Sequence, residues 1–244
     1  MSLLRPLVLL LLSPVLAMAT DIQSYVVRLQ ANPDGSGNGV ATLTLVACTA
    51  GTLNLPLAFS RVEDLRLEAA PAGVRLASSP RNGKTHLELA LPQDLAATTT
   101  LKFTFRLKEV FQSTQPKPGE KMTLPAGSRL FRHAFVNTQE AVIGAYRLDL
   151  LFPEGLMAQA IREQLPKPGK AEVGPRVLLS RIDGRQSATL KLSNLQQGDD
   201  TSMALELVPV RRSRGWLVAG LLLGGLYLFY FRDLVAKKQP GPLA

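Results

Sequence analysis

The sequence predicts an all-β ectodomain, a β-sandwich of the immunoglobulin-like type with two sandwich-like halves, followed by one C-terminal transmembrane helix. Three observations support this fold class. Apolar and polar residues alternate with period two through most of the chain, clusters of Gly, Pro and Asn interrupt that alternation, and an apolar block lies near each end. Alternation of this kind is typical of strands that bury one face. An apolar block near a terminus is typical of targeting or anchoring segments.

The first apolar block, Leu7–Leu16, has the features of an export signal. It follows a single cation, Arg5, and precedes the small-residue triplet Ala17-Met-Ala19. A cation, a short apolar run and an A-x-A site together predict a secretory signal peptide over residues 1–19. The alternative is an uncleaved N-terminal anchor, for which this run is short.

Residues 20–111 are expected to form the N-terminal β-sandwich domain. Its clearest strand alternates Leu101, Phe103 and Phe105 with Lys102 and Thr104, so one face is apolar and the other polar. Strands at such short intervals, separated by turn residues, favour a sandwich. The predicted strands are Tyr25–Leu29, Val40–Val46, Leu53–Leu57, Leu65–Glu68, His86–Leu91 and Thr100–Leu107.

Residues 128–210 are expected to form a second β-rich domain, joined to the first by a linker loop over 112–127. Proline, glycine and polar residues predict that loop. One elongated sandwich is the alternative to two halves. A short helix is expected at Glu154–Leu165, between Pro153 and Pro166. The predicted strands are Arg129–Val136, Val142–Phe152, Val177–Ile182, Ala188–Leu192 and Met203–Val208.

The second apolar block, Gly215–Phe231, predicts the transmembrane helix. It contains no charge, and Arg214 and Arg232 bracket it. Its length is at the lower edge of what spans a bilayer, and flanking cations can reach the interfaces. The remaining residues, 232–244, would form a cytoplasmic tail.

Orientation follows from the export signal, because cations are equally numerous on the two sides of the block. The N-terminus would lie in the periplasm and the C-terminus in the cytoplasm, with the helix in the inner membrane. The chain contains no Asn-x-Ser/Thr sequon, which favours a bacterial envelope. A eukaryotic type I membrane protein is the alternative location.

Two glycines in the predicted anchor have the spacing of a helix-packing motif. Gly220 and Gly224 are four residues apart, so they share one helix face and allow another backbone to approach closely. The motif predicts helix-mediated association, either with a second copy or with another membrane protein.

The sequence contains few candidate catalytic or metal-binding groups. The two histidines, His86 and His133, lie in separate predicted strands with no second histidine at ligand spacing, so neither a metal nor a cofactor is expected. A grouping of His133 with Asp149 and a serine would be needed for a hydrolase. The glycine-rich loop around Asp34 has too few carboxylates for calcium and predicts a turn. The single cysteine, Cys48, is expected to be buried.

The net charge of +9 has two sources. One is the cations that flank the apolar blocks, and the other is a basic interval between residues 102 and 132. A basic surface outside the cytoplasm suits an acidic partner, a glycan or a lipid head group rather than nucleic acid. The candidate partner-binding residues in this interval are Lys102, Arg106, Lys108, Arg129 and Arg132.

These observations predict a non-enzymatic accessory or scaffold protein. Its extracytoplasmic β-sandwich would bind another membrane or envelope protein, and its helix would lie in the lipid bilayer. The first alternative is a membrane-anchored module that binds an anionic glycan or lipid. The second is an unrecognised hydrolase.

Overall fold

The computed structural model of the protein describes residues 20–112, 125–164, 177–182, 184–210 and 215–236. The chain divides into two compact units, with the division between Pro209 and Val210. The predicted signal peptide, most of the predicted linker and the chain from residue 237 onward lie outside the described residues.

The first unit is built from strands, which confirms the all-β prediction. Most predicted strands are present, and several are longer than the sequence pattern indicates. The strands are β1 (Asp21–Ala31), β2 (Gly37–Val46), β3 (Gly51–Pro56), β4 (Val62–Ala69), β5 (Arg75–Arg81), β6 (Lys84–Leu91), β7 (Thr98–Leu107), β8 (Arg129–Val136), β9 (Ile143–Leu151), β10 (Leu156–Gln164), β11 (Val177–Ile182), β12 (Arg185–Leu195) and β13 (Asp200–Pro209).

Seven strands form the largest sheet, in the order β11-β12-β9-β1-β2-β7-β4. Most neighbours are antiparallel, but β1 and β9 are parallel, with Tyr25 opposite Tyr146. This pairing joins strands from both sides of the predicted linker in one sheet. The expected arrangement of two separate sandwich-like halves is therefore corrected, because the linker connects strands of one compact unit.

Two three-stranded sheets, β10-β13-β8 and β3-β6-β5, pack against the largest sheet. Phe135 of β8 stacks on Tyr146 of β9, with ring centroids 4.1 Å apart. The hydroxyl of Tyr25 in β1 donates to the carbonyl of Pro56 in β3 at 3.3 Å. Alternate residues of β7, including Leu101 and Phe103, are buried in the same core, as period-two burial requires.

Two segments differ from the sequence prediction. β5 was not predicted, because Arg75–Arg81 has few apolar residues. It pairs with β6 through a two-residue turn, in which Asn82 and Gly83 both have positive φ. The expected helix at Glu154–Leu165 is wrong, because Leu156–Gln164 forms β10. Its residues are good helix formers, but antiparallel pairing with β13 prevails over that propensity.

The second unit contains the helix α1 (Gly215–Ala236), at the position of the second apolar block. Its described large apolar side chains are exposed, including Leu221, Leu228 and Phe229. Among the described residues, no helix is both long enough and apolar enough to cross a membrane.

Candidate functional site

A groove of about 850 Å³ lies along the free edge of β8. Among the described strands β8 pairs with β13 alone, so beyond the bridge at Leu130 its other edge has no described partner. The far wall of the groove contains Phe59 and Ser60, and one end contains Val110 to Gln112. Lys84 lies at the groove because the tight turn between β5 and β6 places the first residue of β6 there.

Three cationic side chains line this groove: Lys84, Arg132 and Arg162. Glu109 is the acidic lining residue, and it is already paired with Arg61. Arg162 pairs with Glu206 at 3.1 Å. The groove therefore has a positive potential in the described structure, and oriented cations of this kind attract anionic groups.

The lysine ammonium occupies a position on the strand edge itself. Nζ of Lys84 donates to the carbonyl oxygen of Ala134 in β8 at 2.8 Å. Partial burial lowers the pKa of Lys84 from its ordinary value, because desolvation disfavours the charged form. The ammonium thus satisfies a backbone carbonyl that an additional strand would otherwise bond.

Beneath the groove, His133 belongs to a buried aromatic cluster. Its Nε2 lies 2.7 Å from the hydroxyl of Tyr146, and Phe59 lies over its ring at 5.0 Å between centroids. Burial lowers the pKa of His133 to about 3, with a smaller contribution from the charge of Lys84. The imidazole is therefore neutral at ordinary pH. Its Nδ1 has no hydrogen-bond partner among the described residues.

The arrangement corrects the grouping of His133 with Asp149. His133 bonds Tyr146, which points into the core, whereas Asp149 is three residues further along β9 and points to the opposite face. There it accepts bonds from Arg147 at 2.8 Å and Thr189 at 2.7 Å. A triad that uses this pair is wrong. Within the described residues, no group of three His, Cys, Asp or Glu side chains could hold a metal ion.

The structure separates the five predicted partner-binding residues. Lys102 and Arg106 lie on the outer face of the seven-stranded sheet, where Lys102 pairs with Glu68 at 3.0 Å. Lys108 follows β7 and is exposed. Arg129 and Arg132 lie on β8, in the opposite layer. These side chains therefore do not form one surface, and of the five only Arg132 lines the groove.

Two cations of the groove were missed by sequence reasoning. Lys84 lies about fifty residues from Ala134 along the chain, and no local pattern connects them. Arg162 was assigned to the expected helix, whereas the register places Arg132, Ala204 and Arg162 in one row across three strands. The Asn82-Gly83 turn was the available signal for Lys84, because such a dipeptide predicts a hairpin.

The two remaining predictions in the sandwich have different outcomes. The loop around Asp34 is a turn between β1 and β2, as predicted, and the Asp34 carboxylate accepts bonds from the backbone N–H and hydroxyl of Ser36. These bonds lower the pKa of Asp34. Cys48 is half-buried at the edge of the core rather than fully buried.

The outermost strand of the seven-stranded sheet, β11, forms a second distinctive surface. Within the described part of the chain it pairs with β12 on one side only, and without a register shift. Beyond Val177 all of its side chains are exposed, and Leu178, Leu179 and Ile182 are 43%, 43% and 48% exposed. An exposed, regular, apolar strand edge is a template for pairing with another chain.

The predicted helix-packing glycines lie on the surface of α1. A Cβ atom built on Gly220 or Gly224 would have no described atom within 4 Å. Their common face is thus open to close approach, and association through it stays a prediction.

Comparison with known proteins gives a limited result. No family model matches the chain, and no curated protein matches it. A proposed protease from Parabacteroides distasonis has a TM-score of 0.44 and 11% identity, covering 76% of this chain. The chain spans only 40% of that protein's length. A proposed nutrient-binding protein from Legionella pneumophila has a TM-score of 0.45 and 13% identity, with 78% of this chain and 67% of that one covered.

A third solved structure, an M1 zinc metallopeptidase from Deinococcus radiodurans, has a TM-score of 0.36 and 16% identity. The match covers 76% of this chain and 42% of that protein. At these TM-scores the likenesses carry no argument about function.

Proposed function

We propose that this protein is a non-enzymatic accessory or scaffold protein, anchored in the inner membrane by its C-terminal helix, whose periplasmic β-sandwich binds another envelope protein. The observation that carries the proposal is the outer edge of β11, on which no described residue pairs. Large exposed apolar side chains on a regular strand edge are what protein–protein interfaces cover.

Four of the other five edge strands of the described sheets carry a feature that opposes edge-to-edge pairing. β3 contains Pro56, and β5 contains Pro80. β4 and β10 have register shifts. Such features protect natural sheets against unwanted association. The described residues of β11 contain no proline and pair without a register shift, which supports a role for that edge in binding.

The anchor is supported by α1. Between Ala219 and Phe231 its described side chains carry no charge, and Leu222, Tyr227 and Phe231 are exposed. Exposed apolar patches mark protein–protein or membrane interaction sites. The glycine face with Gly220 and Gly224 offers a second contact, with a helix of the same partner or of another copy.

The test is affinity purification of the full chain from gently solubilised native membranes, combined with crosslinking. We expect a reproducible membrane or envelope protein with the natural sequence. The double substitution Leu179→Lys and Ile182→Lys should reduce its recovery to background, because charge on the edge opposes pairing. Ser78→Lys introduces the same side chain on the exposed edge strand β5 and should have no effect. Recovery of the protein alone, or equal loss in both variants, would contradict the proposal.

A further inference from the structure

The free edge of β8 is already partly occupied by atoms of the same chain. The backbone N–H of Gln112 donates to the carbonyl of Leu130 at 2.8 Å, in an antiparallel bridge. Nζ of Lys84 donates to the carbonyl of Ala134, also at 2.8 Å. Alternate residues of a strand direct their backbone groups to the same side, so the N–H and C=O of Arg132 face the groove between these two positions.

The groove exists because the chain leaves β8 at this point. A continued antiparallel pairing from Gln112 would place Val110 opposite Arg132, but the N–H of Val110 instead donates to the carbonyl of Gly35 at 2.8 Å. The diverging segment and β8 both line the groove of about 850 Å³, which extends to Arg162 of β10 and to Ser202–Ala204 of β13. A strand edge that begins to pair and then opens into a cavity has room for a strand from elsewhere.

The charges around this opening are unbalanced. Among the described residues, neither Lys84 nor Arg132 forms an ion pair, although each lines the groove. Arg162 lies in the same row as Arg132 on the outer face, two strands away, with the small side chain of Ala204 between them. An occupant that brings carboxylates would meet cations on both sides of the edge.

We propose that this edge is a second docking site, which takes an extended acidic segment of a protein, added to β8 as a further strand. A backbone N–H of the segment replaces the Lys84 ammonium at the carbonyl of Ala134. The released ammonium pairs with a carboxylate of the segment. A second carboxylate two residues away, on the same face of the added strand, lies across from Arg132 as a cross-strand pair.

This site is separate from the β11 edge, because it uses a different strand, a different sheet and charge instead of apolar area. A negative result for binding at the β8 edge therefore does not affect the proposal for the β11 edge, and the reverse also holds. A segment held by backbone bonds plus carboxylate–cation pairs is recognised by its extended conformation and its acidic pattern.

The experiment measures binding of a short fluorescent peptide, in which Glu alternates with Val, to the purified full chain by anisotropy. We expect saturable binding. Lys84→Gln and Arg132→Gln should each weaken it about tenfold or more, the usual effect of losing a charge-assisted hydrogen bond. Lys102→Gln, which removes a lysine from the opposite layer, is the matched control and should bind as the natural sequence does. Lys84→Arg should restore much of the affinity, which separates loss of charge from misfolding.

Two further probes test the strand geometry and the class of ligand. A peptide with N-methylated backbone at alternate positions should bind much more weakly, because it lacks the donors needed at β8. Equal binding of that peptide would overturn the proposal, and so would unchanged affinity in both glutamine variants. The proposal would also be wrong if no peptide bound, while anionic lipid vesicles or an acidic polysaccharide bound with the same dependence on Lys84 and Arg132.

Discussion

The first compact unit exposes two strand edges of opposite character, β11 and β8. β11 presents Leu178, Leu179 and Ile182 to solvent, and no described residue caps its outer edge. β8 buries Phe131 and Phe135 in the core, while Lys84 and Gln112 occupy its outer edge. An apolar edge gains affinity from buried area and suits a lasting interface. A capped, cationic edge must exchange one set of polar contacts for another, and this suits a reversible partner.

The largest expected effect is on the free energy of unfolding, and it distinguishes β8, which packs in the core, from β11, which we propose binds a partner. Phe135→Ala removes a ring that is 1% exposed and stacked on Tyr146. We expect it to lower the free energy of unfolding by about 3–5 kcal/mol. Leu179→Ala, on β11, should change it by less than about 0.5 kcal/mol in the isolated protein.

Urea denaturation of both variants measures this difference. Equal destabilisation would mean that β11 is already packed in the free protein, and would remove the ground for treating its edge as open.

A smaller effect is expected from the buried polar pair beneath the β8 groove. Tyr146→Phe leaves Nε2 of His133 without its partner, and Nδ1 already has none among the described residues. We expect a loss of about 1–3 kcal/mol in the free energy of unfolding. Combining Tyr146→Phe with His133→Phe should recover most of that loss, because both polar partners become apolar rings. If the double variant is less stable than the single one, the hydrogen bond is not the source of the effect.

The burial of His133 predicts that the free energy of unfolding depends on pH. The pKa of His133 is lowered from 6.5 to about 3 in the folded chain, mainly by burial. The unfolded chain therefore binds a proton below about pH 6.5 that the folded chain does not bind. The contribution of the neutral His133 to the free energy of unfolding is fully present above pH 6.5. It falls by up to about 1.4 kcal/mol for each pH unit between 6.5 and 3.

Unfolding measured across this range should show the decline, and His133→Phe should flatten it. An unchanged slope in that variant would assign the decline to other groups.

The local alternation of apolar and polar residues was sufficient to predict strands with one clearly buried face. β7 alternates so regularly that its inward residues, including Phe103 and Phe105, were identified correctly. β5 was missed because both of its faces are largely exposed, so no alternation marks it. β10 was read as a helix because its residues favour helices, and only pairing with β13 decides otherwise.

Long-range pairing limited the rest of the prediction. The parallel contact between β1 and β9 joins segments more than a hundred residues apart, and local periodicity carries no information about it. The candidate site has the same limit. Arg132 was identified from the basic composition of its interval, but Lys84 joins it only through the fold, while Lys102 and Arg106 turn to the other layer.

The most direct test of the central claim, that β11 is the partner-binding edge, is site-specific photocrosslinking in native membranes. A photoreactive residue is placed at Leu179, at Arg132 or at Ser78 in the full chain, and the adducts are identified by mass spectrometry. We expect one reproducible adduct with an envelope protein from position 179 and none from position 78. No adduct at position 179, or the same adduct with equal yield at position 78, would contradict it.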